Sequence, residues 1–388
     1  MEDILQLADL FTEEEKAIQH TVRQVVQTQI LPQVATCFEN AYFDPKWPQL
    51  CAALGILGMT LPTSVGGLGA SYTAYGLVCQ ELEAVDSALR SFASVQSALV
   101  MQAIAQYGSA TQQQQYLAPL AKAQCIGAFG LTEPDVGSDP GSMTTKAIKT
   151  DKGYVLSGTK TWITNAPIAQ VAVIWAKEAG QICGFLVPLD APGVQVMPLE
   201  HKLALRASST GMIILEECLL PLTSKLPGAT KGLSSALACL SIARFGIAWG
   251  ALGAAEACLN CALDYVKNRK QFGHPLARYQ LVQATLSDLY AELLQARLMN
   301  WRVAQLMDAG QINHVAISLI KRTACRVALS VARRTRDLLG ANGISLEYPI
   351  IRHLANLEAV VTYEGTDTMH TLILGKHLTG LAAFGVEP

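Results

Sequence analysis

Charged residues are scarce in this chain, and their balance points to no polyanionic partner. Only 15% of the 388 residues are Asp, Glu, Lys or Arg, and the formal net charge is −2 at pH 7. Nucleic acids and anionic membranes attract strongly basic surfaces, so neither is expected as the main partner. Hydrophobic residues make up 51% of the chain, and the mean hydropathy is +0.27. We therefore expect a large buried core and extensive subunit interfaces.

Several common motifs are also missing from the sequence. It contains no P-loop, HExxH or GxSxG, and its seven histidines form no ligand-spaced cluster, so we predict no metal site. The ten cysteines show no disulfide-framework spacing. Cys258 and Cys261 form the only close pair, and no second pair completes a zinc site. We interpret the cysteines as small buried hydrophobes in a reducing cytosol.

The sequence carries no recognisable targeting or membrane signal. Its first residues, MEDILQLADLFTEEEK, are acidic and lack both a signal-peptide core and an arginine-rich presequence. No apolar run looks long and uninterrupted enough for a transmembrane helix. We predict a cytoplasmic protein, or a mitochondrial matrix protein if the chain is a processed eukaryotic form.

The spacing of apolar residues divides the chain into three parts. Residues 1–125 show helical spacing of apolar positions, residues 126–228 show short alternating segments typical of antiparallel strands, and residues 229–388 return to helical spacing. A chain of 388 residues exceeds one compact core, so two or three domains are expected. The predicted fold is multidomain and mainly α, with a middle β-domain. A ligand site is expected where domains meet.

One carboxylate, Glu364, stands between two helix patterns near the end of the chain. Gly365 is expected to break the first helix, and Thr366 to cap the second. A carboxylate at such a joint, amid apolar sequence, tends to have a raised pKa, as a general base near neutral pH requires. The alternative is an ordinary helix-end glutamate in a salt bridge. This stretch alone does not decide between them.

A second candidate feature is the trio Glu83, Arg90 and Ser94. Their spacing of i, i+7 and i+11 places them close to one face of a single predicted helix. The guanidinium of Arg90 could then bind a carboxylate through two parallel hydrogen bonds. The alternative is an intrahelical Arg–Glu pair on a solvated face, which would contribute little.

Four further stretches suit a planar, phosphate-bearing ligand. Residues 128–140 form a loop rich in glycine, proline and hydroxyls, and Trp162 beside Thr164 could cover a flat ring. Residues 267–275 are a basic helix end, and residues 337–343 are a glycine-rich break between helices. Each also has an ordinary reading, as a turn, a core tryptophan, a partner of the helix dipole or a simple loop.

Taken together, these stretches resemble the acyl-CoA dehydrogenase family and, within it, the glutaryl-CoA dehydrogenases. The resemblance covers nearly the whole chain. It is carried by FGLTEPDVGSDP, GTKTWITNAP, LRASSTGMIILEE, RKQFGHPLARYQLVQ, LLGANGIS and NLEAVVTYEGTDTMHTLILG. It implies an N-terminal helical domain, a middle antiparallel β-barrel or sandwich and a C-terminal four-helix bundle. It also implies FAD, a homotetramer built as a dimer of dimers, and an electron-transfer flavoprotein as the electron acceptor.

The resemblance assigns the central chemistry to Glu364. This residue would take the α-proton of an acyl-CoA while the β-hydride passes to N5 of the flavin. The backbone N–H of Glu364 and a ribityl hydroxyl of FAD would polarise the thioester carbonyl. A neighbouring subunit would supply residues 337–341. The residues implied at the cofactor are Phe129, Leu131, Thr132, Gly137, Ser138, Trp162, Ile163, Thr164, Arg269, Gln271, Phe272, Gln280, Asp337, Leu338, Leu339, Gly340, Ala341, Thr366 and Phe384.

The resemblance also bears on the substrate. A buried arginine requires an anion, and a glutaryl group carries one at its distal end. Glu83 and Tyr363 resemble the residues of decarboxylating members, which implies crotonyl-CoA as product. The residues implied at the substrate are Glu83, Arg90, Ser91, Ser94, Ser138, Leu240, Ser241, Arg244, Tyr363 and Gly365.

One departure and two alternatives remain open. Residues 240–246 read LSIARFG, where similar proteins carry two amides, so the contact with the CoA arm is in doubt. The protein could instead oxidise another dicarboxylyl or short-chain acyl-CoA without decarboxylation. It could also be a relative that binds CoA thioesters without redox chemistry.

Overall fold

The computed structural model describes residues 3–384, and the first part of the chain is helical. Thr12 caps the first helix as its sequence predicts, because its hydroxyl accepts from the Glu15 N–H while the Glu15 carboxylate accepts from the Thr12 N–H. The helices are α1 Glu13–Gln29, α2 Leu31–Glu39, α3 Lys46–Ala53, α4 Tyr72–Val85, α5 Ser87–Ser94, α6 Gln102–Tyr107 and α7 Ala110–Ala121.

The predicted single helix through Glu83 and Arg90 is wrong, because the chain breaks at Asp86. This residue is extended, with φ −163° and ψ 141°, and its carboxylate accepts from the Ala88 N–H to start α5. A π-helical segment, Val95–Met101, then joins α5 to α6. Glu83 and Arg90 therefore lie on two different helices.

The middle part of the chain is a seven-stranded sheet. Its hydrogen-bonded order is β1-β4-β2-β3-β7-β6, with β5 also paired to β4. Four pairings are antiparallel as predicted, whereas β1 and β2 run parallel to β4. Because β2 and β3 lie between β1 and β4 in the chain, β4 can pair beside β1 while running in the same direction. The strands are β1 Gly127–Gly130, β2 Lys146–Thr150, β3 Gly153–Thr164, β4 Val171–Glu178, β5 Gln181–Pro188, β6 Val194–Pro198 and β7 Thr210–Leu220.

The last part of the chain is again helical and is built around one long central helix, α8. This helix packs against α4, α9, α10 and α11. A short hairpin, β8 Lys270–Gln271 with β9 His274–Pro275, follows it. The helices are α8 Leu233–Asn268, α9 Gln280–Asp308, α10 His314–Leu338, α11 Ile350–Val360 and α12 Asp367–Thr379.

Helix α8 corrects the expectation that no segment could cross a membrane. By length and hydropathy alone it qualifies, with a mean hydropathy of 1.5 over its most apolar window. However, 83% of that window is buried inside the protein. Because the core helix of a large helical domain has this same composition, we interpret α8 as such a core helix.

Two buried amides join the helical layers to the sheet. Gln96, in the π-helical segment, donates to the carbonyls of Leu120 and Cys125 and accepts from the N–H of Gly127 in β1. Asn356, in α11, accepts from the Leu205 N–H and donates to Asp86. The break between α4 and α5 is thereby tied to both α11 and the β-domain.

Candidate active site

The turn between α11 and α12 has a strained backbone at its centre. Glu364 adopts φ +51° and Gly365 adopts φ +96°, so two successive residues occupy the left-handed side of the Ramachandran plot. Helix α11 ends at Val360, earlier than the break predicted at Gly365. The predicted cap is confirmed, because the Thr366 hydroxyl accepts from the Met369 N–H and begins α12.

Two cations hold this turn through its backbone carbonyls. Lys321, on α10, donates to the carbonyls of Val361, Tyr363 and Gly365 at 3.3, 3.0 and 2.8 Å. Arg244, on α8, donates from Nε to the carbonyl of Glu364 at 2.7 Å. Side chains from two helices thus fix the path of the turn.

The Glu364 carboxylate, in contrast, has no donor on one of its oxygens. Oε2 is buried and has no hydrogen-bond partner within residues 3–384. Burial raises the pKa of Glu364 to about 6, and the charges of Arg90, Arg244 and Lys321 limit that rise. The alternative of a helix-end salt bridge is not observed in the described part of the chain, where Glu364 forms no ion pair. A carboxylate with these properties can accept a proton near neutral pH.

Arg90 lies beneath this turn and is 1% exposed. Its Nε donates to Glu83 Oε2 at 2.6 Å, and its Nη2 donates to the Tyr363 hydroxyl. The Ser87 hydroxyl donates to the other Glu83 oxygen at 2.7 Å. A solvated-face pair is therefore excluded. The argument that Arg90 must take its anion from a substrate is also wrong, because Glu83 supplies one within the chain.

Glycine allows α8 to approach this buried pair. A Cβ at Gly250 would lie 2.1 Å from Glu83 Oε2 and 3.2 Å from Arg90 Nε. Any side chain there would displace the carboxylate from its arginine. The small residues that dominate α8 in sequence thus serve close helix packing around the ion pair.

The remaining predicted substrate residues are distributed unevenly around the site. Ser91, Ser94 and Leu240 are buried, while Ser138 is exposed. Within residues 3–384 the Ser94 hydroxyl lacks a well-formed hydrogen bond. Ser241 donates to the Leu237 carbonyl of its own helix at 3.2 Å, so its hydroxyl is already engaged.

The loop after β1 is fixed by a second buried ion pair. Lys160, fully buried on β3, donates to Glu133 Oε1 at 2.8 Å and to the Leu131 carbonyl at 3.0 Å. Glu133 also accepts from the N–H groups of Thr144 and Thr145. Although burial opposes it, these donors lower the pKa of Glu133 to about 2. The Lys160–Glu133 pair therefore fixes the loop that is predicted to contact a flavin.

A bulge presents Trp162 beside that loop. The register of β3 and β7 shifts between Lys160 and Ile163, and Trp162 adopts φ +58° with 63% of its surface exposed. The Thr161 N–H donates to the Thr132 carbonyl at 3.0 Å, which joins the bulge to the loop. Trp162 is therefore an exposed ring rather than the core residue that the alternative predicted.

Other predicted flavin-side residues lie within the same sheet. Phe129 is buried and packs against Trp175, with ring centroids 6.0 Å apart. Ile163 is buried and Thr164 is half-buried, whereas Gly137 lies outside the sheet, in the loop after β1, and is exposed.

The predicted phosphate and adenine contacts lie apart from this group. Arg269 directly follows α8, and Gln280 begins α9. Between them Phe272 and Gly273 form a tight hairpin turn with φ +50° and +82°. Phe272 is 92% exposed, and Arg269, Gln271 and Gln280 are exposed as well. The basic helix end was predicted from sequence, but the hairpin was not.

The break after α10 is a short 3₁₀ helix, Gly340–Ile344. Of the residues predicted there, Asp337, Gly340 and Ala341 are exposed, Leu338 is half-buried and Leu339 is buried. Phe384 is 73% exposed. In residues 3–384 of a single chain, no hydrogen bond joins this stretch to the Glu364 turn.

Sequence reasoning missed the residues that position these groups. Lys321, the Glu133–Lys160 pair and the Asn356 bridge were not singled out. A signal existed for Lys321, because it falls on the apolar face of α10 between Ile317 and Ala324, where a lysine must find a buried partner.

Comparison with known proteins gives the same assignment along the chain. Models of the acyl-CoA dehydrogenase N-terminal, middle and C-terminal domains match residues 12–124, 128–218 and 230–379. The mitochondrial short-chain specific acyl-CoA dehydrogenase of Mus musculus is 33% identical over 94% of this chain and 90% of its own length. The chain belongs to the acyl-CoA dehydrogenase family. The predicted resemblance and fold class are thereby confirmed.

Solved structures of acyl-CoA dehydrogenases share the fold closely. A glutaryl-CoA dehydrogenase from Mycobacterium smegmatis, in complex with FADH2, is 44% identical, covers 99% of both chains and has a TM-score of 0.97. Butyryl-CoA dehydrogenase from Megasphaera elsdenii is 29% identical, covers 95% of this chain and 98% of its own, and has a TM-score of 0.90. Both glutaryl- and short-chain-specific enzymes therefore stand among the similar proteins.

Proposed function

We propose that this acyl-CoA dehydrogenase is a FAD-dependent glutaryl-CoA dehydrogenase that also decarboxylates its product to crotonyl-CoA. The single observation that carries the proposal is the contact between Arg90 and Tyr363 immediately beside Glu364. It puts a guanidinium next to the base, where the distal carboxylate of a short dicarboxylyl chain would lie. The 44% identity to the M. smegmatis enzyme supports the same substrate.

Glu364 is the general base in this proposal. The residue is half-buried, its Oε2 is buried and has no partner within residues 3–384, and its pKa is raised to about 6. It removes the α-proton of the thioester and keeps that proton in the site. The Glu364 N–H donates to no group in the described chain, so it is available to donate a hydrogen bond to the thioester oxygen and stabilise the negative charge that develops there.

The cofactor is FAD, and the chain offers residues that fit it. Trp162 is an exposed ring held in a strained bulge, and Leu131 and Thr132 belong to a loop fixed by Lys160. These residues would hold the flavin ring, while Arg269 and Gln280 would hold its phosphates. When bound, FAD supplies the acceptor for the β-hydride.

Decarboxylation follows from the same base. Once the α,β double bond has formed, the distal carboxylate stands on the γ-carbon next to it, so the electrons of the bond to that carboxylate can pass through the double bond into the thioester. Its loss as CO2 leaves a dienolate, and protonated Glu364 returns its proton to give crotonyl-CoA. Tyr363, hydrogen-bonded to Arg90, lies where it can influence that carboxylate.

Anaerobic mixing with glutaryl-CoA tests the proposal. We expect bleaching of the flavin and crotonyl-CoA, identified by mass, as product. Glutaconyl-CoA would support a dehydrogenase that stops before decarboxylation. Butyryl-CoA oxidised as fast as glutaryl-CoA would favour the second candidate, a short-chain acyl-CoA dehydrogenase, to which 33% identity with the mouse enzyme points.

The role of Arg90 needs a variant that does not strand Glu83 as a buried unpaired charge. We therefore expect the double change Glu83→Gln with Arg90→Met to keep the fold and to lower kcat/KM for glutaryl-CoA. The loss of transition-state stabilisation should be about 2–5 kcal/mol. Activity on butyryl-CoA should fall much less. Arg90→Lys, which keeps a cation beside Glu83, is the matched control. Equal loss on both substrates would show that Arg90 does not select a carboxylate.

We also propose the assembly and acceptor that the family resemblance implies. Large apolar side chains are exposed at Phe272, Leu281, Leu378 and Phe384, which suits burial between the subunits of a homotetramer. Mass measurement in solution tests this assembly. An electron-transfer flavoprotein is the proposed electron acceptor, which a reoxidation assay tests.

A further inference from the structure

We propose that Lys321 is a positioning residue for Glu364: by binding the carbonyls of residues 361, 363 and 365, it fixes the backbone of the turn from which the base projects. This inference rests on the proposed function, in which Glu364 removes the α-proton.

The geometry of Lys321 is unusual for a lysine. Its side chain is fully buried on the inner face of α10. Its ammonium carries three donors, and the structure gives each a carbonyl of the turn: Val361, Tyr363 and Gly365. It forms no salt bridge with any Asp or Glu of residues 3–384. All of its hydrogen-bonding capacity is therefore spent on one short backbone segment.

Backbone carbonyls can stabilise a buried cation at this position. The turn follows the C-terminus of α11, where unpaired carbonyls carry partial negative charge. Burial nevertheless lowers the pKa of Lys321, although the charges of Glu364 and Asp367 act against that fall. Burial of this lysine is unfavourable, and it donates to carbonyls and not to a carboxylate. We infer that the backbone of the turn requires these donors.

That constraint is the left-handed backbone. Glu364 has φ +51°, which a residue with a Cβ rarely adopts without support. Lys321 binds the carbonyls on both sides of Glu364, while Arg244 binds the carbonyl of Glu364 itself. Released from these donors, the turn would relax, and the carboxylate and N–H of Glu364 would move from the thioester.

The Lys321 charge also acts on the carboxylate. The groups that face Glu364 are Arg90 from α5, Arg244 from α8, Lys321 from α10 and, in its own turn, Tyr363. The ring of His370, from α12, packs beneath Gly365, and its pKa is lowered to about 3, so it adds no charge near neutral pH. Removing the Lys321 charge should therefore raise the pH at which Glu364 loses its proton.

The test compares Lys321→Met with Val331→Ala in the FAD-loaded enzyme. Val331 is buried on the same helix and does not contact the turn through any hydrogen bond, so its truncation controls for destabilisation of α10. Two rates are measured: kcat with glutaryl-CoA, and exchange of the α-hydrogens of acetyl-CoA with D2O. Acetyl-CoA has no β-hydrogen, so this exchange reports the base without oxidation.

We expect Lys321→Met to lower both rates about a hundredfold, the effect of misplacing a catalytic group by about 1 Å, with little change in KM. The acid limb of its pH–rate profile should move to higher pH. Lys321→Arg keeps the charge and should restore the pH profile and part of the rate. Val331→Ala should retain both rates. Should Lys321→Met not fold, Lys321→Gln takes its place with the same expectations.

The outcomes separate this inference from the proposed function. Glu364→Gln that still exchanges acetyl-CoA would overturn the base itself. Glu364→Gln that loses exchange, together with Lys321→Met that keeps its rate and pH profile, would overturn only the positioning role. Equal losses in Lys321→Met and Val331→Ala would reduce Lys321 to a stabilising residue.

Discussion

The fold places two of its glutamates, Glu133 and Glu364, in opposite environments. Glu133, in the β-domain, accepts hydrogen bonds from Lys160, Thr144 and Thr145, and its pKa falls to about 2. Glu364 has an unpartnered oxygen within the described chain, and its pKa rises to about 6. The same side chain has a lowered pKa where donors reach its carboxylate and a raised pKa where burial is not offset by hydrogen bonds.

A buried lysine lies close to each glutamate, but the two lysines donate to different groups. Lys160 donates to the Glu133 carboxylate, whereas Lys321 donates to the backbone around Glu364. The first arrangement anchors a loop. The second holds the turn while leaving the carboxylate free to take a proton.

Glu364→Gln should give the largest effect on this comparison. The amide keeps the size of the side chain and cannot accept the α-proton, so flavin reduction by glutaryl-CoA should fall by at least about 10²–10⁴-fold. FAD content and glutaryl-CoA binding should be retained. Stopped-flow absorbance of the flavin measures the rate. Bleaching at the wild-type rate would refute Glu364 as the base.

Lys160→Met should break the other half of the comparison. It leaves Glu133 buried without its cation, and breaking a buried pair in this way costs about 3–5 kcal/mol of unfolding free energy. Denaturant unfolding measures the loss, and a fall in FAD retention should accompany it. Lys16→Met is the control, because the exposed Lys16–Glu13 pair contributes little. Equal stability of the two variants would show that Glu133 and Lys160 are not coupled.

Much of the site was predictable because chemistry and spacing stay in the sequence. The position of Glu364 between two helix patterns made it a candidate, the family resemblance gave it the role of base, and the Thr366 cap beside it is confirmed. The pairing of Glu83 with Arg90 was also anticipated as one of two readings. Its reason was wrong, since the two residues lie on separate helices and meet across the break at Asp86.

The positioning contacts could not be predicted in the same way. Lys321 binds carbonyls, and a carbonyl has no residue letter that marks it as a partner. Lys160 and Glu133 are far apart along the chain and meet only through the pairing of the sheet. The parallel pairing of β1 with β4 likewise depends on the tertiary path, which local alternation does not reveal.

The smallest expected effect is on pH-dependent stability, and here the two glutamates should differ in sign. Burial raises the pKa of Glu364 from its ordinary 4.5 to about 6, so the folded protein binds a proton more tightly than the unfolded chain. Its contribution to stability is therefore lost as pH rises from about 4.5 to 6, by on the order of 1–2 kcal/mol. Glu133 acts oppositely, because its stabilising contribution is lost as pH falls from 4.5 towards 2.

Glu364→Gln isolates the Glu364 contribution, since the amide does not titrate. Relative to wild type, this variant should become more stable as pH rises from 4.5 to 6.5. Glu133→Gln should instead become less stable than wild type as pH rises from 2 to 4.5, because the Glu133 charge begins to stabilise the wild-type fold over that range. Urea unfolding of the FAD-loaded proteins at fixed ionic strength measures both differences. If the difference in unfolding free energy between Glu364→Gln and wild type does not change with pH, the Glu364 pKa is the same in the folded and unfolded chains. Glu364 and Glu133 would then differ in position and not in proton affinity.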